Sequence, residues 1–134
     1  MLQPKKMKYR RSFRGKRRGT ASVGTELAFG DHGIKAMSAG WVSSRQLEAA
    51  RKKITFMTKR AGKYWIRVFP DKPVSSKPVG VKMGSGKGDT DRYVAVVKPG
   101  MILFELGGVD AEIAKDALRK AGHKISVKTS IVTK

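Results

Sequence analysis

The sequence predicts an α+β domain, two helices packed on a mainly antiparallel sheet, preceded by a basic N-terminal arm. Three observations predict it. Two segments repeat apolar residues at steps of three and four between capping signals, the period of a buried helix face. Several short runs rich in β-branched and aromatic residues are separated by turn residues, as in antiparallel strands. Residues 1–20 hold nine cations, Lys5, Lys6, Lys8, Arg10, Arg11, Arg14, Lys16, Arg17 and Arg18, and no acid.

That first segment cannot fold alone, because it has too few apolar groups to offset the entropy of ordering. An arm that orders against a phosphate-rich surface is expected, with Tyr9 and Phe13 placed among the cations to stack on bases or pack locally. The remainder, residues 21–134, has the size of one domain with its own core. Between Ala21 and Trp41, glycines punctuate two alternating stretches, 25–29 and 33–37, which predict short strands.

Ser43 and Gln46 have capping-box spacing and open a helix over 44–61, with Gly62 suited to its C′ position. Leu47, Ala50, Ile54, Met57 and Ala61 form its inward stripe. The outer faces carry Arg45, Arg51, Lys52, Lys53, Lys59 and Arg60 against Glu48 alone. A solvated helix gains by mixing signs four residues apart, so this surface is suited to phosphate.

A strand is expected over 64–69, with Trp65 a core candidate, then a rigid loop or crossover over 70–78, where three prolines fall in nine residues. Further strands are predicted over 79–83, 93–97 and 102–106, the last two joined by a Pro99-Gly100 turn. A second helix over 111–121 has Asp110 as N-cap, Ile113, Ala117, Leu118 and Ala121 inward, and Gly122 at C′. The last strand, 125–132, sets Ile125, Val127, Thr129 and Ile131 on one face.

Charge narrows the function. Thirty Lys and Arg against ten Asp and Glu leave +20, with a pI near 10.7, on a small body that a polyanion must neutralise. Nucleic acid is the commonest such partner. With no cysteine, disulfides, thiolate metal sites and Cys nucleophiles are excluded. His32 and His123 lack the spacing of a metal site or a triad, and the carboxylates are scattered, Asp89 and Asp91 merely flanking a turn. No apolar run is long enough to span a bilayer. Neither an enzyme nor a cofactor is called for, and a DNA-binding or membrane-surface protein are the competing classes.

The segment Lys82-Met83-Gly84-Ser85-Gly86-Lys87-Gly88, in a loop at about 82–90, is not a P-loop, since Lys87 is followed by Gly88. Its glycines leave the backbone free to approach another backbone or a base, with Lys82 and Lys87 supplying charge, so a finger that contacts RNA is expected.

Several blocks, in order, carry a resemblance to one family. They are Met1-Leu2-Gln3-Pro4-Lys5-Lys6, Glu48-Ala49-Ala50-Arg51, the run from Gly62 through Trp65 and Pro70 to Pro73, Met83 to Gly88, and Val132-Thr133-Lys134. Over essentially its whole length the chain resembles bacterial and organellar ribosomal protein L16 (the uL16 family). The resemblance implies an α/β-hammerhead fold of L16/L10e type, binding to large-subunit (23S-type) rRNA, a place beside the aminoacyl-tRNA site, and a part in late subunit assembly. It implies as partners that rRNA, tRNA in the aminoacyl site and neighbouring large-subunit proteins, on a cytoplasmic or organellar ribosome, with no membrane and no cofactor. By the family's pattern Lys82, Met83, Gly84, Gly86, Lys87 and Gly88 approach the tRNA cleft. The arm cations, with Arg45, Arg51, Lys52, Lys59 and Arg60, match segments the family uses on RNA. Lys82 departs from a usual Arg, hydroxylated in some members, and Phe56 stands where some relatives have Arg.

Overall fold

The computed structural model describes residues 2–77, 80, 84 and 86–134. In chain order the elements are β1 (His32–Ala36), β2 (Gly40–Ser43), α1 (Ser44–Thr58), β3 (Lys63–Ile66), β4 (Lys72–Ser76), β5 (Asp89–Val97), β6 (Ile102–Gly107), α2 (Ala111–Gly122) and β7 (Thr129–Thr133). This is the expected α+β class. Among the described residues, however, the strands form two antiparallel sheets, β3-β6-β1-β7 and β2-β5-β4, where one was expected. The division occurs at Pro99-Gly100. Gly100, at φ 98°, donates its N–H to the Ala36 carbonyl at 2.8 Å, so the turn passes the chain from one sheet to the other instead of closing a hairpin.

The two helices pack on each other, α2 against β1 and β7 and α1 against β2 and β5. All six residues of β6 are buried, and Ile34, Leu47, Ile54, Phe104 and Leu118 form the centre of the core.

The capping box is present: Ser43 Oγ accepts the Gln46 N–H and Gln46 Oε1 accepts the Ser43 N–H, both at 3.2 Å. The helix stops at Thr58, short of the predicted 61, because Lys59 and Arg60 turn left-handed at φ 53° and 64°. Gly62 is therefore not its C′ residue. A Cβ there would lie 2.3 Å from the Gly107 carbonyl oxygen, so this glycine exists to let β3 start against the end of β6. Inward positions are Leu47, Ala50, Ile54 and Thr58; Met57 only flanks the core and Ala61 is exposed. Thr58 is accommodated there because its hydroxyl donates to the Ile54 carbonyl at 2.9 Å.

Helix α2 buries Ala114, Ala117, Leu118 and Ala121, while the predicted Ile113 faces solvent. Asp110 is the N-cap but its side chain makes no capping bond. Gly122 ends the helix without a left-handed turn, and its missing side chain makes room for Thr129.

Other boundaries move for identifiable reasons. The predicted 70–78 loop contains β4, and Pro73 is tolerated because β4 is the edge of its sheet. Residues 25–29 form no strand, the N–H groups of Ala28 and Phe29 turning instead to a side chain described below. The final strand begins only at Thr129, since Ile125 closes the turn after α2 with an N–H to the Gly122 carbonyl at 3.2 Å. Strand β3 ends at Ile66, though the Arg67 N–H still reaches the Leu103 carbonyl at 2.9 Å, and Trp65 is half-buried. The strand predicted over 79–83 lies largely outside the described residues.

Candidate nucleic-acid interface

All nine arm cations are exposed, and residues 2–20 form no helix or strand. Residues 10–13 nevertheless lie against the body. The Arg11 guanidinium donates to the Gly88 carbonyl and to the Asp89 carboxylate, both at 2.9 Å. Thr90 Oγ1 donates to the Arg10 carbonyl at 3.0 Å, Lys72 Nζ to the Phe13 carbonyl at 2.7 Å, and Lys87 Nζ to the Ser12 carbonyl. The arm's backbone carbonyls thus take up body cations, while of its own cations Arg11 pairs with Asp89, Arg17 lies over the Trp41 ring, and all nine remain exposed. Such a strand of backbone held by polar contacts is firm enough to aim charge and open enough to exchange partners.

The arm meets the base of the glycine-rich loop. Gly88 is half-buried against β4, where a Cβ would lie 2.7 Å from the Ser76 carbonyl oxygen. Gly84 and Gly86, at φ 110° and 91°, are exposed, as is Lys87. The Lys77 ammonium donates to the Gly84 carbonyl. Lys82 and Met83, the remaining loop candidates, lie outside the described residues. Of the loop set, then, the structure brings Lys87 and Gly88 together with Arg10 and Arg11.

Arg45 and Lys52 on α1, and Lys59 and Arg60 just past its end, are exposed. Arg45 lines a cleft with Gln3, Trp41 and Arg92, on the side where the arm enters. Lys52 and Arg60 line another with Lys63, near the helix end, Lys52 standing about 10 Å along the axis from Arg45 at the rise of an α-helix. The helix therefore carries cations to two separate grooves. Arg51 differs from its neighbours in being half-buried and bonded to Glu48. The hydrogen bond from Arg51 holds the Glu48 carboxyl below the usual range, and Glu48 first, then the Tyr64 hydroxyl, raise the hold on the guanidinium proton further.

Left-handed backbone at Lys59 and Arg60 costs on the order of 1 kcal/mol each for a residue with a Cβ. Two successive cations occupy positions where glycine or asparagine is the ordinary solution. A glycine at either position would relieve that cost.

Three features were missed in the sequence. Fully buried on β6, Glu105 accepts N–H bonds through Oε1 from Ala28, Phe29 and Gly30 at 3.0, 2.9 and 2.9 Å, and through Oε2 from the Arg67 guanidinium. Burial pushes its carboxyl up, but the donors at Gly30, Phe29, Arg67 and Ala28 outweigh this and hold it below the usual carboxylate range. Its signal was a single acid inside the apolar run Ile102-Leu103-Phe104-Glu105-Leu106. Second, Phe29 stacks on Trp65 with centroids 5.8 Å apart and planes at 21°. Third, Trp41 has the Arg17 guanidinium 5.2 Å and the Lys72 ammonium 5.9 Å from its ring centre. Neither pairing has a local sequence signature.

The geometry is that of a small rigid body with basic and aromatic groups on its outside, an arrangement suited to phosphate and base contacts and lacking any assembled set of nucleophile, base and oxyanion donors among the described residues. The family model for ribosomal protein L16p/L10e matches residues 4–132. The chain belongs to the ribosomal protein L16p/L10e family, and is thereby a ribosomal protein of the large subunit, a structural part of the translating ribonucleoprotein.

Proposed function

We propose that this protein binds large-subunit, 23S-type rRNA as a non-catalytic component of a bacterial or organellar ribosome, lies beside the aminoacyl-tRNA site and takes part in late subunit assembly. Residues 1–20 act as the RNA-binding arm and residues 21–134 as the body. The observation that carries this is the surplus of twenty cations, with Lys5, Lys6, Lys8, Arg10, Arg14, Lys16, Arg17 and Arg18 exposed on an arm whose backbone is anchored at residues 10–13. Such charges release condensed counterions when they meet phosphate, and that release supplies the affinity.

Arg45, Lys52, Lys59 and Arg60 extend the contact along α1, and Arg51 contributes the guanidinium edges that Glu48 and Tyr64 leave free. The loop, with Lys82, Met83, Gly84, Gly86, Lys87 and Gly88, reaches toward tRNA in the aminoacyl site, the fit being to backbone shape because glycines admit close approach. Contacts of this type position RNA helices without reading their sequence, so specificity comes from the folded shape of the RNA and from neighbouring large-subunit proteins.

The test is competition in a filter-binding assay between large-subunit rRNA and duplex DNA of equal phosphate concentration. Preference for the rRNA, with affinity falling steeply as salt rises, is expected. Equal or tighter binding to the duplex would replace this function with a general DNA-binding one.

A further inference from the structure

We propose that the exposed ring of Phe29, backed by Trp65 and Arg67, is a stacking platform for one unpaired nucleobase of the RNA this protein binds. The proposal rests on the RNA-binding function above and adds to it a defined contact outside the arm, the loop and α1.

Phe29 is 60% exposed, a large apolar surface for a residue in the body of the domain. Its position is not accidental. Three consecutive N–H groups at Ala28, Phe29 and Gly30 are held by the one buried oxygen of Glu105, which fixes the backbone on both sides of the ring. Behind the ring stand Trp65, stacked at 5.8 Å, and the Arg67 guanidinium, 5.4 Å from the ring centre. Trp65 and Arg67 are two residues apart on extended backbone, so they project from the same face and form one support. The other carboxylate oxygen of Glu105 holds that guanidinium in turn. One buried acid therefore fixes both the ring and its backing.

Other exposed rings under cations, Tyr9 beneath Lys8, Phe13 beneath Lys87 and Phe56 beneath Lys53, have no comparable buried support among the described residues. A surface pre-organised in this way loses little entropy on binding, which is what a stacking contact requires.

The chemistry around the ring selects the occupant. Phe29 and Trp65 line a cleft of about 410 Å³ with Lys63, Asp31 and the backbone of Gly107 and Gly108. Lys63 is exposed on its rim, and Lys134 is tied to the same rim by its N–H to the Asp31 carbonyl at 2.9 Å. A flat π-face with the exposed Lys63 on its rim matches a base with an adjoining phosphate, and the Asp31 carboxylate can accept from an exocyclic amine. An apolar protein segment would leave these cations unanswered.

The experiment uses the full chain, with Phe29→Leu to remove the ring while keeping apolar bulk, and Phe29→Trp to restore a π-face. Probes are large-subunit rRNA, an oligoadenylate, and an abasic oligoribonucleotide of the same length. Phe29→Leu loses the stack on Trp65 and is expected to melt a few degrees below the wild type yet remain folded, with Phe29→Trp close to the wild type. Phe29→Leu should weaken binding to the rRNA and the oligoadenylate by roughly 10- to 100-fold at fixed salt, with the salt slope unchanged, and Phe29→Trp should recover most of it. Binding to the abasic oligomer should be equal for all three. Equal affinity of wild type and Phe29→Leu for the rRNA, or an equal loss on the abasic oligomer, overturns the platform. Normal rRNA binding by Phe29→Leu combined with failure to enter the large subunit would give the ring to a neighbouring protein instead. If the wild type binds none of the RNAs, the RNA-binding function fails along with the platform.

Discussion

Arg67, one residue beyond β3, reaches across to bond the carboxylate of Glu105 on β6, a pair in which the acid is fully buried and the guanidinium 20% exposed. The pair links the sheet to residues 28–30, which have no strand partner of their own. Its loss should be felt well beyond the two side chains.

Glu105→Gln should destabilise the protein by about 3–5 kcal/mol, because a half-satisfied guanidinium remains and an amide NH2 competes for a place among three N–H donors. The folded-state carboxyl lies below its unfolded value. Its contribution is therefore complete above the ordinary carboxylate value of about 4.3 and is lost as pH falls through the lower folded value. Urea midpoints measured from pH 7 downward should show an acid limb in the wild type that is shallower in Glu105→Gln. Equal acid limbs would assign the pH dependence to other groups.

Lys59→Gly should stabilise the free protein, since it relieves left-handed backbone at φ 53°. The gain is roughly 0.5–1 kcal/mol after the added flexibility of the unfolded chain is subtracted. The same change should lower the slope of log affinity against log salt for rRNA by about 0.7–0.9, one phosphate contact. Thermal melting and filter binding on the one variant check both halves. A stabilised variant with an unaltered slope would show that Lys59 does not meet phosphate.

Deleting residues 1–18 should weaken rRNA binding and flatten the salt slope by several contacts, each about 0.7–0.9. In contrast, Asp89→Asn should leave the urea midpoint where it is. Asp89 is 99% exposed, and an ion pair of that kind with Arg11 contributes little to folding. An unchanged slope on deletion would show the arm to be idle.

Gly62→Ala and Gly86→Ala separate two uses of glycine. At Gly62 a Cβ meets the Gly107 carbonyl oxygen at 2.3 Å, whereas at Gly86 it meets nothing within 4 Å. Both have positive φ, so each substitution carries about 1 kcal/mol of backbone cost, and Gly62→Ala adds a collision between backbones, for a total of about 2–3 kcal/mol or more. Chemical denaturation of both variants reports the difference. Equal costs would mean that the chain at Gly107 yields.

The helices were legible in the sequence because their signals are local. The Ser43–Gln46 box needs only a spacing of three, and both apolar stripes follow from one period. Partner choice among strands is not local. Pro99-Gly100 reads as the same turn whether it closes a hairpin or passes the chain to a second sheet, and only the bond from Gly100 to Ala36 decides it. Pro73 argued against a strand until its place at a sheet edge was known. The helix end failed differently. Gly62 was the obvious stop, but Lys59 and Arg60 take the left-handed turn first, against their own preference. Of the interface, charge and the family blocks were readable, while the Glu105 anchorage depends on contacts 75 to 77 residues apart in the chain.

The edge strand β4 has a bearing on self-association. An open sheet border is where separate copies of a protein can zip together into fibres. Among the described residues β4 borders its sheet, Pro73 has no N–H to offer a foreign strand, and the Lys72 ammonium, held on the Phe13 carbonyl, keeps a charge beside it. Both features make β4 a poor template for a second copy's strand.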